Sequence, residues 1–127
     1  MRARSFWESL GFALRGLGYA LTTQRNMRIH AAVALAAVLL AALLGFDPIR
    51  WALLGLTIGL VWAAELLNTA LEAVVDLARP DPHPLARTAK DVAAGMVLVC
   101  ALAAVGVGLA LFGPPLWNVL TRLGGAR

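Results

Sequence analysis

The stretch WALLGLTIGLVWAAELLNTALEAVVDLARP occupies residues 51–80 and decides the fold. Its first fourteen residues contain no charged side chain, yet Glu65, Glu72 and Asp76 follow within the next twelve. A run of this length and apolarity predicts a helix that crosses a bilayer, because about 20 apolar residues span the hydrocarbon. Carboxylates near the end of such a helix are costly to insert and therefore mark a candidate functional site.

The composition of the whole chain is that of a membrane protein. Its 127 residues are 61% hydrophobic and 14% charged, whereas soluble domains average about 45–50% apolar and about 25% charged. The net charge of +4 would suggest nucleic acid in a soluble protein. Here the basic residues flank apolar spans, so we expect no nucleic-acid partner. The single cysteine, Cys100, excludes an intrachain disulfide.

The apolar pattern predicts an all-α integral membrane fold in one domain over residues 1–127. Apolar residues at spacings of three and four predict an amphipathic helix over residues 4–22 that lies on the membrane surface. Membrane helices are predicted over three further ranges, 29–46, 49–78 and 85–112. The Pro-rich sequence RPDPHP forms a loop at 79–84, and GPP ends the last helix before a short tail at 113–127.

Basic residues are distributed unevenly between the two predicted sides of the membrane. Eight lie on one side: Arg2, Arg4, Arg15, Arg25, Arg28, Arg79, Arg87 and Lys90. Three lie on the other side: Arg50, Arg122 and Arg127. The positive-inside rule therefore places the N-terminus and the 79–84 loop in the cytoplasm, and the C-terminus outside.

The three carboxylates of the opening stretch share one helix face. At about 100° per residue, Glu72 and Asp76 each lie within about 20° of Glu65, and Asn68 flanks the same line. Counted from Trp51, Glu65 lies about 21 Å and Glu72 about 31 Å along the helix. Glu65 is therefore predicted just inside the hydrocarbon and Glu72 at its cytoplasmic boundary.

Two interpretations of this face follow from the residues. In one, Glu65 forms a structural pair with Lys90 or Arg28 on a neighbouring helix. In the other, carboxylate and amide oxygens one turn apart bind Mg²⁺, a hard cation that commonly accompanies substrate phosphates. Arg25, Arg28, Arg87 and Lys90 could then steady the phosphates. A site at this depth can take a lipid hydroxyl from the membrane and a phosphate donor from the cytosol.

Motifs of the common nucleotide-binding folds are absent from the sequence. It contains no G-x-x-x-x-G-K-[ST] and neither the H-R-D nor the D-F-G of protein kinases. His30 and His83 are too far from other metal-type ligands for a zinc site, so packing or a hydrogen bond is predicted for each. Two rival functions stay open on these grounds: a small oligomeric cation or proton transporter with Glu65 as the coupling carboxylate, and a scaffold or lipid-sensing subunit.

Three motifs in this order resemble the small bacterial membrane diacylglycerol kinases. They are RNMRIH at 25–30, AELLNTALEAVVD at 64–76 and AKDVAAG at 89–95, within a similarity that covers about residues 6–112. RNMRIH and HPLARTAKDVAAG look closer to the branch that phosphorylates undecaprenol than to the diacylglycerol-specific branch.

The resemblance implies a homotrimer in the bacterial cytoplasmic membrane that transfers the γ-phosphate of ATP, with Mg²⁺, to a lipid alcohol. Undecaprenol is the first candidate and diacylglycerol the second. Glu65 matches the general base and Glu72 a Mg²⁺ ligand, while Gln24 stands where the family often has a second, acidic ligand. The positions matched to lipid binding are Asn68, Arg28 and Glu65 itself. The positions matched to nucleotide binding are Asp76, His83, Lys90, Asp91 and Glu72.

Overall fold

The computed structural model of the protein describes residues 5–79 and 81–124. These residues form helices α1 (Phe6–Thr23), α2 (Arg25–Leu43), α3 (Pro48–Ala78) and α4 (Pro84–Gly124). Helices α2, α3 and α4 are each long and apolar enough to cross a membrane. The all-α architecture with three candidate spans is thus confirmed, and the location of α1 on the membrane surface stays a prediction.

Side-chain caps fix the starts of α1 and α3. The backbone N–H of Glu8 donates to Ser5 Oγ at 3.2 Å. The N–H groups of Ile49 and Arg50 both donate to Asp47 Oδ1 at 3.0 Å, and Pro48 fills the first position of α3. Proline costs little there because the first N–H groups of a helix have no intrahelical acceptor.

A tight turn at Gly45 reverses the chain between α2 and α3. Gly45 has φ of +65°, a left-handed conformation that glycine adopts without a Cβ clash. Its N–H donates to the Ala42 carbonyl at 3.3 Å, and the N–H of Phe46 donates to the Ala41 carbonyl at 3.2 Å. These are the two hydrogen bonds of a Schellman motif, which pair carbonyls at the end of α2 that would otherwise lack donors.

Helices α3 and α4 run antiparallel and pack together most extensively. Lys90 meets Asp76 beside their connecting loop, and Leu54 packs with Leu111 at the opposite end. That end holds the apolar core, made of Ala41, Phe46, Leu54 and Leu111. The end near the loop carries the polar side chains.

Most of the apolar surface of the three candidate spans is not covered by other parts of the chain. In the most apolar part of each span, 11% of the residues of α2, 28% of α3 and 11% of α4 are buried. Continuous exposed apolar faces of this size are unfavourable in water. Lipid or additional protein chains are therefore needed to cover them.

Three helix boundaries differ from the predicted ones by three or more residues: the start of α2, its end at Leu43 rather than residue 46, and the end of α4. Helix α2 begins four residues before Ile29, because only Gln24, with φ of −97° and ψ of 119°, interrupts the helical backbone after α1. Helix α4 continues through Pro114 and Pro115 to Gly124, so the predicted end at residue 112 is wrong and residues 113–124 are helical. The last three residues of the predicted tail, and residue 4 of the predicted surface helix, lie outside the described residues. Each proline removes one backbone donor, but its φ near −65° is helical, and membrane helices tolerate such positions.

Candidate active site

Glu65 is a buried acidic residue near the midpoint of α3. It is 1% exposed, and the buried polar or charged residues beside it are Asn68 and Thr69. Thr69 Oγ1 donates to the Glu65 backbone carbonyl at 2.8 Å, which satisfies that hydroxyl within its own helix. The side chain of Glu65 is thus held away from water.

The side chain that contacts Glu65 is His30 of α2. His30 Nε2 lies 3.1 Å from Glu65 Oε1. The contact falls outside the geometry of a regular hydrogen bond, and Oε1 has no other donor among the described residues. Sequence reasoning assigned a hydrogen bond or packing to His30 but offered Lys90 or Arg28 as the partner of Glu65, and neither fills that role.

Asn68 is buried on α3 and contacts Glu72, which lies further toward the loop end of the helix. Its Nδ2 atom donates to Glu72 Oε1 at 3.0 Å, one helical turn away. The Asn68 Oδ1 atom is buried and has no hydrogen-bond partner in the part of the chain that the structure describes. A substrate, water or a neighbouring chain is the kind of donor that such an atom requires.

A polar cleft of about 660 Å³ lies at the loop between α3 and α4. Asp76, His83 and Lys90, three of the predicted nucleotide contacts, line it together with Arg79 and Arg87. Lys90 Nζ donates to Asp76 Oδ1 in a short ion pair. His83 Nδ1 accepts the backbone N–H of Leu85 at 3.2 Å. A cleft with several cations at this edge suits a phosphate-bearing ligand.

Asp91 and the two predicted residues of the α1–α2 corner lie apart from these groups. Asp91 is exposed, and its Oδ2 lies 4.0 Å from Arg87 Nε. Arg28 Nη1 donates to the carbonyl of Thr22 at 3.1 Å, so it closes the corner. Gln24 ends α1 and precedes α2, and its side chain makes no capping hydrogen bond.

The donor atoms suit a metal ion that is bound together with phosphates. No group of three or more His, Cys, Asp or Glu side chains could hold a metal ion within residues 5–79 and 81–124. Mg²⁺ does not need such a group when one or two carboxylates act with substrate phosphates and water. Glu72 is partly buried, and Asn68 engages one of its oxygens, which leaves the second oxygen for a cation.

An apolar groove of about 540 Å³ runs along α2, α3 and α4. Its lining is mostly alanine, valine, leucine and isoleucine, and it also includes His30, Thr57, Trp62 and Phe112. The Trp62 Nε1 atom is buried without a hydrogen-bond partner among the described residues. Sequence reasoning did not single out Trp62, because one tryptophan in an apolar span has no pattern to distinguish it from packing.

Comparison with known proteins gives one consistent family. The family model described as prokaryotic diacylglycerol kinase matches residues 11–112. A Synechocystis diacylglycerol kinase is 50% identical over 113 residues, which cover 88% of this chain and 65% of that protein. The Bacillus subtilis undecaprenol kinase is 42% identical over 111 residues, which cover 87% of this chain and 90% of that protein.

A match at lower identity is also a diacylglycerol kinase. The Escherichia coli diacylglycerol kinase is 35% identical over 98 residues, which cover 77% of this chain and 80% of that protein. The matched residues include both Glu65 and the cleft between α3 and α4. The chain therefore belongs to the prokaryotic diacylglycerol kinase family, a family of ATP-dependent lipid kinases.

Proposed function

We propose that this protein transfers the γ-phosphate of MgATP to undecaprenol, with diacylglycerol as the second candidate acceptor. The observation that carries the proposal is the contact of Glu65, a buried carboxylate, with His30, which lines the apolar groove. Further along α3, Asp76 lines the polar cleft together with Arg79, Arg87 and Lys90. The groove leads from the membrane side to His30, which contacts Glu65. A lipid hydroxyl and a phosphate donor can therefore approach one site from two solvents.

The choice of undecaprenol rests on sequence. RNMRIH and HPLARTAKDVAAG resemble the undecaprenol branch, and the relative named undecaprenol kinase is covered over 90% of its length. Diacylglycerol stays a candidate because the relative with 50% identity is named a diacylglycerol kinase.

In the proposed reaction, Glu65 takes the proton from the lipid hydroxyl while the hydroxyl oxygen forms a bond to the γ-phosphorus. The bond between that phosphorus and the bridging oxygen breaks, and ADP leaves. Lys90 adds positive charge beside the phosphates, and most of the rate acceleration comes from positioning and electrostatics. Mg²⁺, which Glu72 and Gln24 would hold, supplies charge neutralisation at the phosphates when it is bound.

The remaining site residues have supporting roles in this proposal. Asn68 and Arg28 orient the lipid headgroup, and Asp76, His83 and Asp91 bind or position the nucleotide. Arg28 and Gln24 lie at the α1–α2 corner. In an oligomer, the α1–α2 corner of a neighbouring chain would bring its own Arg28 and Gln24 to the site of this chain.

We also propose a homotrimer in the bacterial cytoplasmic membrane. The N-terminus and the loop at 79–84 would face the cytoplasm, α1 would lie on that membrane surface, and the C-terminus would lie outside. The uncovered apolar faces of the spans and the unpartnered Asn68 Oδ1 support contacts with further chains.

A direct competition assay tests the acceptor. The protein in mixed micelles is given MgATP labelled at the γ-phosphate, with undecaprenol and diacylglycerol at equal mole fraction. We expect label chiefly in undecaprenyl phosphate. Label chiefly in phosphatidic acid would promote diacylglycerol, and label in neither lipid would contradict the proposed function.

A further inference from the structure

The contact between His30 and Glu65 joins two side chains of very different exposure. The Glu65 side chain is 2% exposed, whereas that of His30 is 22% exposed. His30 lies five residues after the start of α2 at Arg25, or about 7.5 Å along the helix. The imidazole thus lies between a buried carboxylate and the more exposed first turns of α2.

A buried general base needs a way to lose the proton that it takes. Thr69 Oγ1 donates to the Glu65 backbone and so offers the carboxylate no route to solvent. Asn68 donates to Glu72, and an amide does not accept a proton at neutral pH. Among the described residues, His30 is the titratable side chain in contact with Glu65, and imidazole is the side chain suited to carry a proton near neutral pH.

We infer that His30 is a positioning residue for Glu65 that also accepts the substrate proton from it and releases that proton to the cytoplasmic side. This inference rests on the proposed function. The hydroxyl proton moves first to the Glu65 carboxylate, and then from the carboxyl group to neutral His30 Nε2. Loss of a proton from the imidazolium to water restores both groups, so each turnover releases one proton and needs no other reactant.

Other charged side chains near the pair are few among the described residues. On α3, Glu72 is the other acidic group that acts electrostatically on Glu65. Arg28 of α2 is directed to the Thr22 carbonyl. The α4 residues that line the groove are apolar. The titratable side chains of α1, which are Glu8, Arg15 and Tyr19, are exposed.

The test compares His30→Gln and His30→Ala with the unmodified protein. Glutamine keeps a polar side chain beside Glu65 but cannot take up the proton. We expect kcat of both variants to fall roughly 10- to 100-fold, at the lower end of what general acid–base catalysis contributes, with KM for ATP changed less than about twofold. Thr121→Val, which removes a hydroxyl bonded within α4 near its far end, serves as the matched polar-to-apolar control and should keep full activity.

Chemical rescue separates proton transfer from packing. Added imidazole should restore activity to His30→Ala, and a series of substituted imidazoles should restore it in proportion to their basicity. Thermal melting of each variant within a few degrees of the unmodified protein shows that it is folded. Full activity of His30→Gln, or rescue that is independent of basicity, would overturn the inference while the lipid kinase function stands. Absence of label transfer by the unmodified protein and by Thr121→Val would overturn both.

Discussion

Lys90 donates to Asp76 across the loop that joins α3 to α4, so the two helices meet at a charged pair beside the polar cleft. The side chains are 36% and 65% exposed. An exposed ion pair contributes little to stability, about 0.2–1 kcal/mol in most measurements. Its place in the cleft is therefore explained better by ligand binding than by folding.

Lys90→Gln should separate these two roles. We expect a higher KM for ATP and a lower kcat, because the cation beside the phosphates is lost, together with a small change in melting temperature. The measurement is ATP dependence of phosphoryl transfer beside a thermal melt. Arg122→Gln, near the opposite end of the same helix, is the control for charge removal. A large loss of stability with unchanged ATP dependence would make Lys90 a structural residue.

Glu72→Gln should raise the Mg²⁺ concentration needed for half-maximal activity by at least about tenfold, as expected for disruption of a metal site. The amide removes the negative charge but keeps an oxygen that can accept the hydrogen bond from Asn68 Nδ2. The local structure should therefore be preserved. A Mg²⁺ titration that matches the unmodified protein would remove Glu72 from the proposed ligands.

Replacement by alanine should have opposite effects at Gly45, in the turn between α2 and α3, and at Gly113, inside α4. Gly45→Ala should destabilise the protein by about 1–2 kcal/mol, because alanine is strained at φ of +65°. Gly113→Ala lies inside α4, where an added Cβ would meet no atom within 4 Å, and should be neutral or stabilising by up to about 1 kcal/mol. Reversible unfolding in detergent micelles measures both. Equal effects would argue against the Schellman turn.

The N-cap residue Asp47 predicts a pH dependence at the start of α3. The hydrogen bond from the Arg50 N–H lowers the pKa of Asp47 below its ordinary value of 3.8, and the Ile49 N–H acts in the same direction. A lowered pKa in the folded state gives stability that is present above pH 3.8 and is lost as pH falls through the folded-state pKa.

Asp47→Asn isolates this effect because asparagine also caps helices. The difference in melting temperature between the unmodified protein and Asp47→Asn should shrink as pH is lowered from 6 to about 3. Asp47→Ala should melt lower than both at pH 6. A difference that is constant over this range would show that the Asp47 charge does not stabilise the start of α3.

The sequence was sufficient to predict the spans and the carboxylate face, since both depend on local periodicity. The 31-residue α3 and the burial of Glu65 and Asn68 follow from apolar length and from spacing around one helix. The continuation of α4 through Pro114 was missed because a proline pair disfavours a helix without forbidding it.

The partner of Glu65 could not be obtained in the same way. The predicted start of the first span at Ile29 placed His30 at the edge of the membrane, whereas the helix begins at Arg25 and carries His30 to the depth of Glu65. Their contact also depends on how α2 packs on α3, which periodicity does not determine. Comparing the expected membrane depths of polar residues on neighbouring spans is the step that could have identified the contact between His30 and Glu65.

The most direct test of the central claim is γ-phosphate transfer to undecaprenol by Glu65→Gln, measured beside the unmodified protein and Asp47→Asn. The control makes the same carboxylate-to-amide change at the N-cap of α3, away from the proposed site. We predict at least about a 100-fold loss of kcat for Glu65→Gln, with nucleotide binding largely retained, and full activity for the control. Appreciable turnover by Glu65→Gln would contradict the assignment of Glu65 as the general base.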